Sequence, residues 1–280
     1  DLPEVLLLGL GLLREVRGPP GDERGREEDH LLAHPRHREV REVVRLLRQR
    51  VDVDGGVATI TLNRPQSLNS ASVELLYTVT EHLYDIEARD DIGAVILTGK
   101  GDAFCSGFDL SEIPLDEGQE AVHRHFRRAA LYWHDMIPAI VRVDKPVIAA
   151  VNGVAVGGGL GMALASDMAF AAPSATFTPA FMAFGVGPDS GTTYHLPRIL
   201  GLRKAMEWIY TNETVDAETA NEWDVVNRVI PEDDLMDEVR DVADQMAAGP
   251  TKLYARTKHN MHMSFTESLE TQTEWERQGV

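Results

Sequence analysis

The sequence predicts an α/β protein in which parallel strands alternate with helices, and three observations predict it. Residues 94–98 and 147–151 are short apolar runs bounded by Gly, Pro or Asn, as strands covered on both faces are. Residues 72–87, ahead of the first run, and 120–143, between the two, carry apolar side chains at helical spacing. The stretch KPVIAAVNGVAVGGGLGMALASD then reads as a strand that breaks at Gly157-Gly158-Gly159 and restarts as an apolar helix over 160–166. Strands and helices taking turns along a chain pack as a parallel sheet with helices on its faces.

In chain order, residues 1–50 stand apart. They hold ten Arg, no Lys and ten Asp or Glu, no aromatic residue, and many Pro and Gly. Such a composition buries too little apolar surface to offset its ordering entropy. The segment reads as an extension outside the folded domain or a start-site artefact, with a short amphipathic helix over 39–50 (Val40, Val43, Val44 and Leu47 on one face) and a partner-docking arm as its functional alternative.

Folded sequence begins near Val51. Residues 51–54, a Gly55-Gly56 turn and 57–62 form a β-hairpin, ended by Asn63-Arg64-Pro65. Val73, Leu76, Val79, Leu83 and Ile86 mark the helix over 72–87, with Ser70 or Ser72 as its N-cap. After the strand at 94–98 comes a loop over 99–109, then the long helix, then the central stretch with a turn at Asn152-Gly153. Further helices fall at 202–210, 217–221 and 233–248, and no repeat of fixed length recurs.

Charge and composition narrow the function. All of the net charge of −18 falls on residues 51–280, which argues against nucleic acid or an anionic membrane as partner. So acidic a body resembles the solvated surfaces of salt-adapted proteins. A single cysteine, Cys105, leaves no internal disulfide and fits a reducing cytoplasm. No run approaches the roughly 20 apolar residues of a membrane span, and the apolar residues 5–13 lack a basic leader. A soluble, cytoplasmic protein of one large domain or two small ones is expected.

Candidate chemistry gathers around the glycines. A helix opening at Gly157-Gly158-Gly159 presents unpaired N–H groups and the positive end of its dipole to an anionic oxygen, and glycine lets a substrate approach the backbone. The bland alternative is a close-packed strand-to-helix turn. Asp189 sits in Gly187-Pro188-Asp189-Ser190-Gly191, which by itself is ordinary turn chemistry. His134 lies on the long helix, where a lone histidine usually faces solvent. Phe126 and Trp133 at helical spacing read first as core.

GVATITLNRP, LTGKGDAFCSGFDL, KPVIAAVNGVAVGGGLGMALASD and ETANEWDVVNRVIPEDDL together resemble the crotonase (enoyl-CoA hydratase/isomerase) superfamily over residues 51–280. That resemblance implies a crotonase (ClpP-like) spiral of ββα units over 51–230 and a C-terminal helical trimerisation region over 231–280. It also implies a homotrimer or dimer of trimers, an acyl-CoA thioester substrate, and no separate cofactor or metal, coenzyme A being part of the substrate. Its oxyanion hole maps to the Phe108 and Gly158 amides, flanked by Gly107 and Gly157. The two glutamates of enoyl-CoA hydratases map to Gly161 and Phe181, which carry no acid, so hydration by that mechanism is not expected. The family's terminal helical tail runs further than this chain does after Glu276.

EIPLDEG, HFRRAALYWH, GGGLGMALASD and RKAMEWIYTNET narrow the resemblance to 4-chlorobenzoyl-CoA dehalogenases. It implies Asp189 as the nucleophile that attacks the halogenated ring carbon. It implies His134 as the general base that hydrolyses the aryl ester, with Phe108, Phe126 and Trp133 walling the ring. Phe181 stands where that branch has a tryptophan, and its CoA-binding arginines map to Leu68 and Ser111. Pro188-Asp189-Ser190-Gly191 instead resembles ring-epoxide phenylacetyl-CoA isomerases, in which the matching aspartate shuttles a proton. A non-catalytic or RNA-binding crotonase-fold protein is the third reading, disfavoured by the acidic body.

Overall fold

The computed structural model describes residues 49–280, with side chains described from Val51 onward. Most of residues 1–50, including most of the helix expected over 39–50, lies outside the described residues. Gln49 and Arg50 do not continue that helix: they open strand β1 (Gln49–Asp54), which pairs antiparallel with β2 (Val57–Leu62).

From there the chain repeats one unit, two strands and a helix. The hairpin is followed by α1 (Val73–Glu87), β3 (Ala94–Gly99) and β4 (Ala103–Cys105) by α2 (Gln119–Arg142), and β5 (Val147–Val151) and β6 (Val154–Val156) by α3 (Gly158–Ala165). β7 (Met168–Ala171) and β8 (Thr176–Thr178) precede α4 (Thr192–Leu200). In each unit after the hairpin, the first strand joins one sheet and the second another. The large sheet runs β1-β2-β3-β5-β7-β10, parallel from β2 onward, and the small one β4-β6-β8-β9. Here β9 is Val215–Asp216 and β10 is Arg228–Val229. The expected loop over 99–109 therefore contains a strand, and the Asn152-Gly153 turn passes the chain from one sheet to the other. Three-residue strands such as β4 are too brief to show a period, which is why the sequence does not announce them.

The apolar runs are explained by the packing. Val95, Leu97, Val147, Ala149 and Val151 point into the main core with α1, α2 and α3, whereas Ala94, Ile96, Ile148 and Ala150 meet Leu235, Val239 and Ala243 of α7 (Leu235–Ala247) on the other face. Both faces are dry, so period-two alternation disappears. Ser72, one of the two expected caps, accepts a hydrogen bond from Leu75 N–H and so starts α1 at Val73. α5 (Leu202–Thr211) and α6 (Ala217–Glu222) complete the body, and α8 (Thr251–Met263) and α9 (Leu269–Gly279) follow α7. No described helix is long and apolar enough to cross a membrane.

Candidate active site

Two helices build the site. α3 opens directly after β6, and its first residue, Gly158, is pressed against the indole of Trp133 on α2, so that any side chain at 158 would collide with that ring. Gly107, with φ of +87°, comes from the loop after β4, and a Cβ on it would lie 3.7 Å from Gly158 N. The loop before Phe108 and the start of α3 therefore meet. Among the described residues, neither Phe108 N–H nor Gly158 N–H donates to any acceptor, whereas neighbouring Gly157 N–H donates to Thr178 C=O at 2.9 Å. Two neighbouring amides, one of them at the N-terminal end of the α3 dipole, are thus left available to an acceptor.

The Asp189 loop approaches α3 one turn further along. A side chain at Gly161 would run into the Ser190 carbonyl and lie 2.7 Å from Ser190 Cβ, so glycine at 161 is what admits the loop. Gly191 on the same loop meets Ile137 of α2, one turn beyond Trp133 and His134. Gly158 and the Asp189 loop thus bracket one α2–α3 contact, separated by about 5 Å of helix rise. Ser190 is fully buried with φ of +50°, a left-handed conformation that costs a non-glycine residue about 1–2 kcal/mol. Strain of this kind persists where the surroundings impose it, often at functional sites.

That conformation brings Ser190 Oγ to Asp189 Oδ1, to which it donates at 2.8 Å, while the Asp189 carbonyl accepts from Thr192 N–H (3.0 Å) and Oγ1 (2.8 Å). Burial pushes the Asp189 carboxyl above its ordinary value; the Ser190 hydroxyl and the charge of His134 act against that rise. Ser190→Ala removes the largest of the effects that oppose the rise. The Asp189 pKa is therefore expected to climb further, which a ¹³C carboxyl titration by NMR reads directly. An unchanged value would mean that the hydroxyl does not hold the charge.

The sequence-derived candidates divide as follows. Trp133 is buried in the core, 2% exposed, and still touches the amide turn through Gly158, so core and site are the same place for this residue. Phe126 is 37% exposed, and its ring lies tilted against Phe108 at 5.6 Å, with His125 at 5.4 Å from the same ring. Phe181 is buried in the main core. His134 lies on the exposed side of α2, as a lone histidine is expected to, yet near enough to Asp189 for its charge to be felt. Pro138 has no N–H to donate to the His134 carbonyl, so that one helical hydrogen bond is missing while α2 runs on through it. Sequence reasoning missed the Ser190 hydroxyl, whose only signal was its place beside Asp189. Among the described residues no group of His, Cys, Asp and Glu is arranged to hold a metal. A cavity of about 430 Å³ lies at the C-terminal ends of β3, β5 and β7, lined by Asp102, Asn152 and Glu232 among others, and shares no lining residue with this site.

The family model described as enoyl-CoA hydratase/isomerase matches residues 52–279. The chain belongs to that family. Within the enoyl-CoA hydratase/isomerase family it is 47% identical over 230 residues to 4-chlorobenzoyl coenzyme A dehalogenase-2 of an Arthrobacter species, covering 82% of this chain and 83% of that one. It is 36% identical to the 1,2-epoxyphenylacetyl-CoA isomerase of Escherichia coli strain K12, over 80% and 86% of the two chains. Among solved structures, an enoyl-CoA hydratase from Bacillus anthracis superposes with a TM-score of 0.78 at 31% identity, over 83% of this chain and 89% of that one. The crotonase fold expected from the motifs is the fold observed, with the C-terminal helices in place.

Proposed function

We propose that this protein is a hydrolytic aryl-CoA dehalogenase acting on a 4-chlorobenzoyl-CoA-like thioester. The observation that carries the reading is the Asp189 loop packed on Gly161: at the position where the resemblance puts a hydratase's glutamate there is no side chain, and Ser190, the neighbour of Asp189, approaches instead. The 47% identity to the Arthrobacter dehalogenases supports the same choice.

The chemistry follows from the parts. The Phe108 and Gly158 amides draw electron density from the ring through the thioester carbonyl, and each such donor is worth about 3–4 kcal/mol at a developing oxyanion. Asp189 attacks the electron-poor ring carbon, forming a C–O bond, and chloride departs with the C–Cl electron pair. His134 takes a proton from water as that water attacks the carboxyl carbon of the resulting aryl ester. The ester C–O bond breaks, releasing the hydroxylated aryl-CoA and restoring Asp189. Phe108, Phe126 and Trp133 wall the ring, with Phe181, Gly107 and Gly157 lining the remainder.

The second reading is an isomerase in which Asp189 only moves a proton. The Ser190 hydroxyl on Asp189, within Pro188-Asp189-Ser190-Gly191, favours it. His134→Gln separates the two. On incubation with 4-chlorobenzoyl-CoA it is expected to release about one equivalent of chloride per site and then stall, with the aryl ester on Asp189 detected by intact and peptide mass spectrometry. A double-bond shift in an enoyl-CoA, lost in Asp189→Asn but retained in His134→Gln with no adduct, would establish the isomerase instead.

We also propose a homo-oligomer in the cytoplasm, with coenzyme A entering only as part of the substrate. Leu202, Met206 and Tyr210 support the oligomer: they recur every fourth residue on α5 and are 60%, 45% and 67% exposed, an apolar stripe that a second subunit would cover.

A further inference from the structure

The two amides are secured differently. Gly158 N–H is aimed by α3 itself, but Phe108 lies in irregular chain between β4 and a 3₁₀ turn at Leu110–Glu112. Its direction comes from a two-rung parallel bridge with Ala71. Ala71 N–H donates to Gly107 C=O at 2.6 Å, and Asp109 N–H donates to Ala71 C=O at 3.1 Å. In a trans peptide the carbonyl and the following N–H point in opposite directions. Holding the Gly107 carbonyl toward Ala71 therefore turns Phe108 N–H away from Ala71, leaving it free for a substrate. Two rungs are a weak tether by themselves, since each net backbone hydrogen bond contributes about 1 kcal/mol.

One side chain grips both strands of that bridge. Arg64, at the end of β2, donates from Nη1 to the Ser70 carbonyl at 2.5 Å, and the same nitrogen pairs with Asp109 Oδ2 at 2.6 Å. Ser70 precedes Ala71 and Asp109 follows Phe108, so the guanidinium spans the bridge just outside its rungs. The two side chains are 13% and 5% exposed, which shields the pair from water and salt. Each partner is fixed in turn. Arg64 N–H donates to Asn69 Oδ1, and the Arg64 carbonyl accepts from Asn69 N–H, both at 2.9 Å. Asp109 Oδ1 accepts from Ser111 N–H at 3.0 Å and Ser111 Oγ at 2.6 Å.

We propose that Arg64 and Asp109 are positioning residues whose buried ion pair keeps the Phe108 amide aimed at the substrate's thioester oxygen. The inference rests on the oxyanion-hole reading above. Neither side chain is assigned a contact with substrate, and the effect reaches the chemistry only through the direction of one N–H.

The test uses the full chain and benzoyl-CoA carrying ¹³C at the thioester carbonyl, which has no halide to lose. In wild type the bound carbonyl stretch is expected to fall below that of free benzoyl-CoA. In Asp109→Asn the shift is expected to shrink to about half, as when one of two donors is misaligned, with the Kd for benzoyl-CoA within about threefold of wild type. For 4-chlorobenzoyl-CoA, kcat is expected to drop on the order of 10- to 100-fold with KM little changed, since a misplacement of about 1 Å costs that much. Because breaking a buried pair can unfold the loop, the charge-free double variant Arg64→Met/Asp109→Leu is measured alongside; it strands no charge and is expected to fold while lacking half the shift. A wild-type-sized shift in both variants overturns the positioning role and leaves the oxyanion hole standing. No shift in wild type overturns the oxyanion reading, and this inference with it.

Discussion

Asp189→Asn is expected to cut turnover of an aryl-CoA substrate by about 10⁴-fold or more while leaving thioester binding near wild type, the scale on which losing a nucleophile is felt. Asparagine keeps the shape of the side chain and an oxygen to accept from Ser190 Oγ, so the loop against Gly161 has no reason to move. What disappears is the charge. Burial holds the Asp189 carboxyl above its ordinary value, so the ionised form is less favourable in the folded protein than in the unfolded chain. The linkage then has a definite sign. The stability tied to this group is present below the unfolded pKa and lost as pH rises through the folded one, so at neutral pH wild type has already given it up. Asp189→Asn should therefore raise Tm at pH 7 while abolishing activity, and the gain should vanish in acid. Thermal melts at two pH values beside a chloride-release assay check both halves. An inactive variant with lowered Tm would mean a damaged loop rather than a missing nucleophile.

Lys258→Met is expected to be the most destabilising single substitution discussed. Lys258, on α8, reaches into the body, where Nζ donates to Asp167 Oδ2 at 2.8 Å, to the Ile140 carbonyl at 2.9 Å and to the Lys145 carbonyl at 3.3 Å. Ile140 lies in the last turn of α2 and Asp167 follows α3, so one ammonium ties together the far ends of both helices that form the site. Its side chain is 8% exposed. Burial pushes the Lys258 pKa down and the Asp167 pKa up, with each partner's charge working against the shift of the other. Asp167 also accepts from Val147 N–H at 2.8 Å, so it cannot turn to solvent without uncapping β5. Removing one member of such a pair strands the other and costs about 3–5 kcal/mol. At roughly 2–4 °C per kcal/mol for a domain this size, Tm should fall by at least about 6 °C. Two further observations would confirm the cause: the deficit shrinks in acid as Asp167 takes up a proton, and Lys258→Met/Asp167→Asn recovers part of the loss. A deficit independent of pH and of Asp167 would assign the loss to packing of the lysine stem instead.

How much of this was legible in the chain depends on the range of the interaction. The helix over 72–87 was readable with its Ser72 cap because capping and helical period are local. The strands at 94–98 and 147–151 were readable because both of their faces are dry. The contact between Gly161 and Ser190 joins positions 29 residues apart, and Arg64 meets Asp109 across 45. Neither spacing has a period, and neither residue type betrays its partner. Trp133 shows the same limit from the other side: its helical position announced a core residue, and only the packing against Gly158 makes it part of the site.

The sequence by itself determined the family, the α/β architecture and the identities of the groups that can do chemistry, because those follow from motif, local pattern and composition. Only the tertiary structure decided that the glycine turn leaves two amides unspent side by side, that a glycine at 161 makes room for Ser190 beside Asp189 on another loop, and that Arg64 pairs with Asp109 and Lys258 with Asp167. The physical reason is direction. A sequence names donors, acceptors and volumes, but where a hydrogen bond points, and what it excludes, is set by contacts between segments that meet only once the chain has closed on itself.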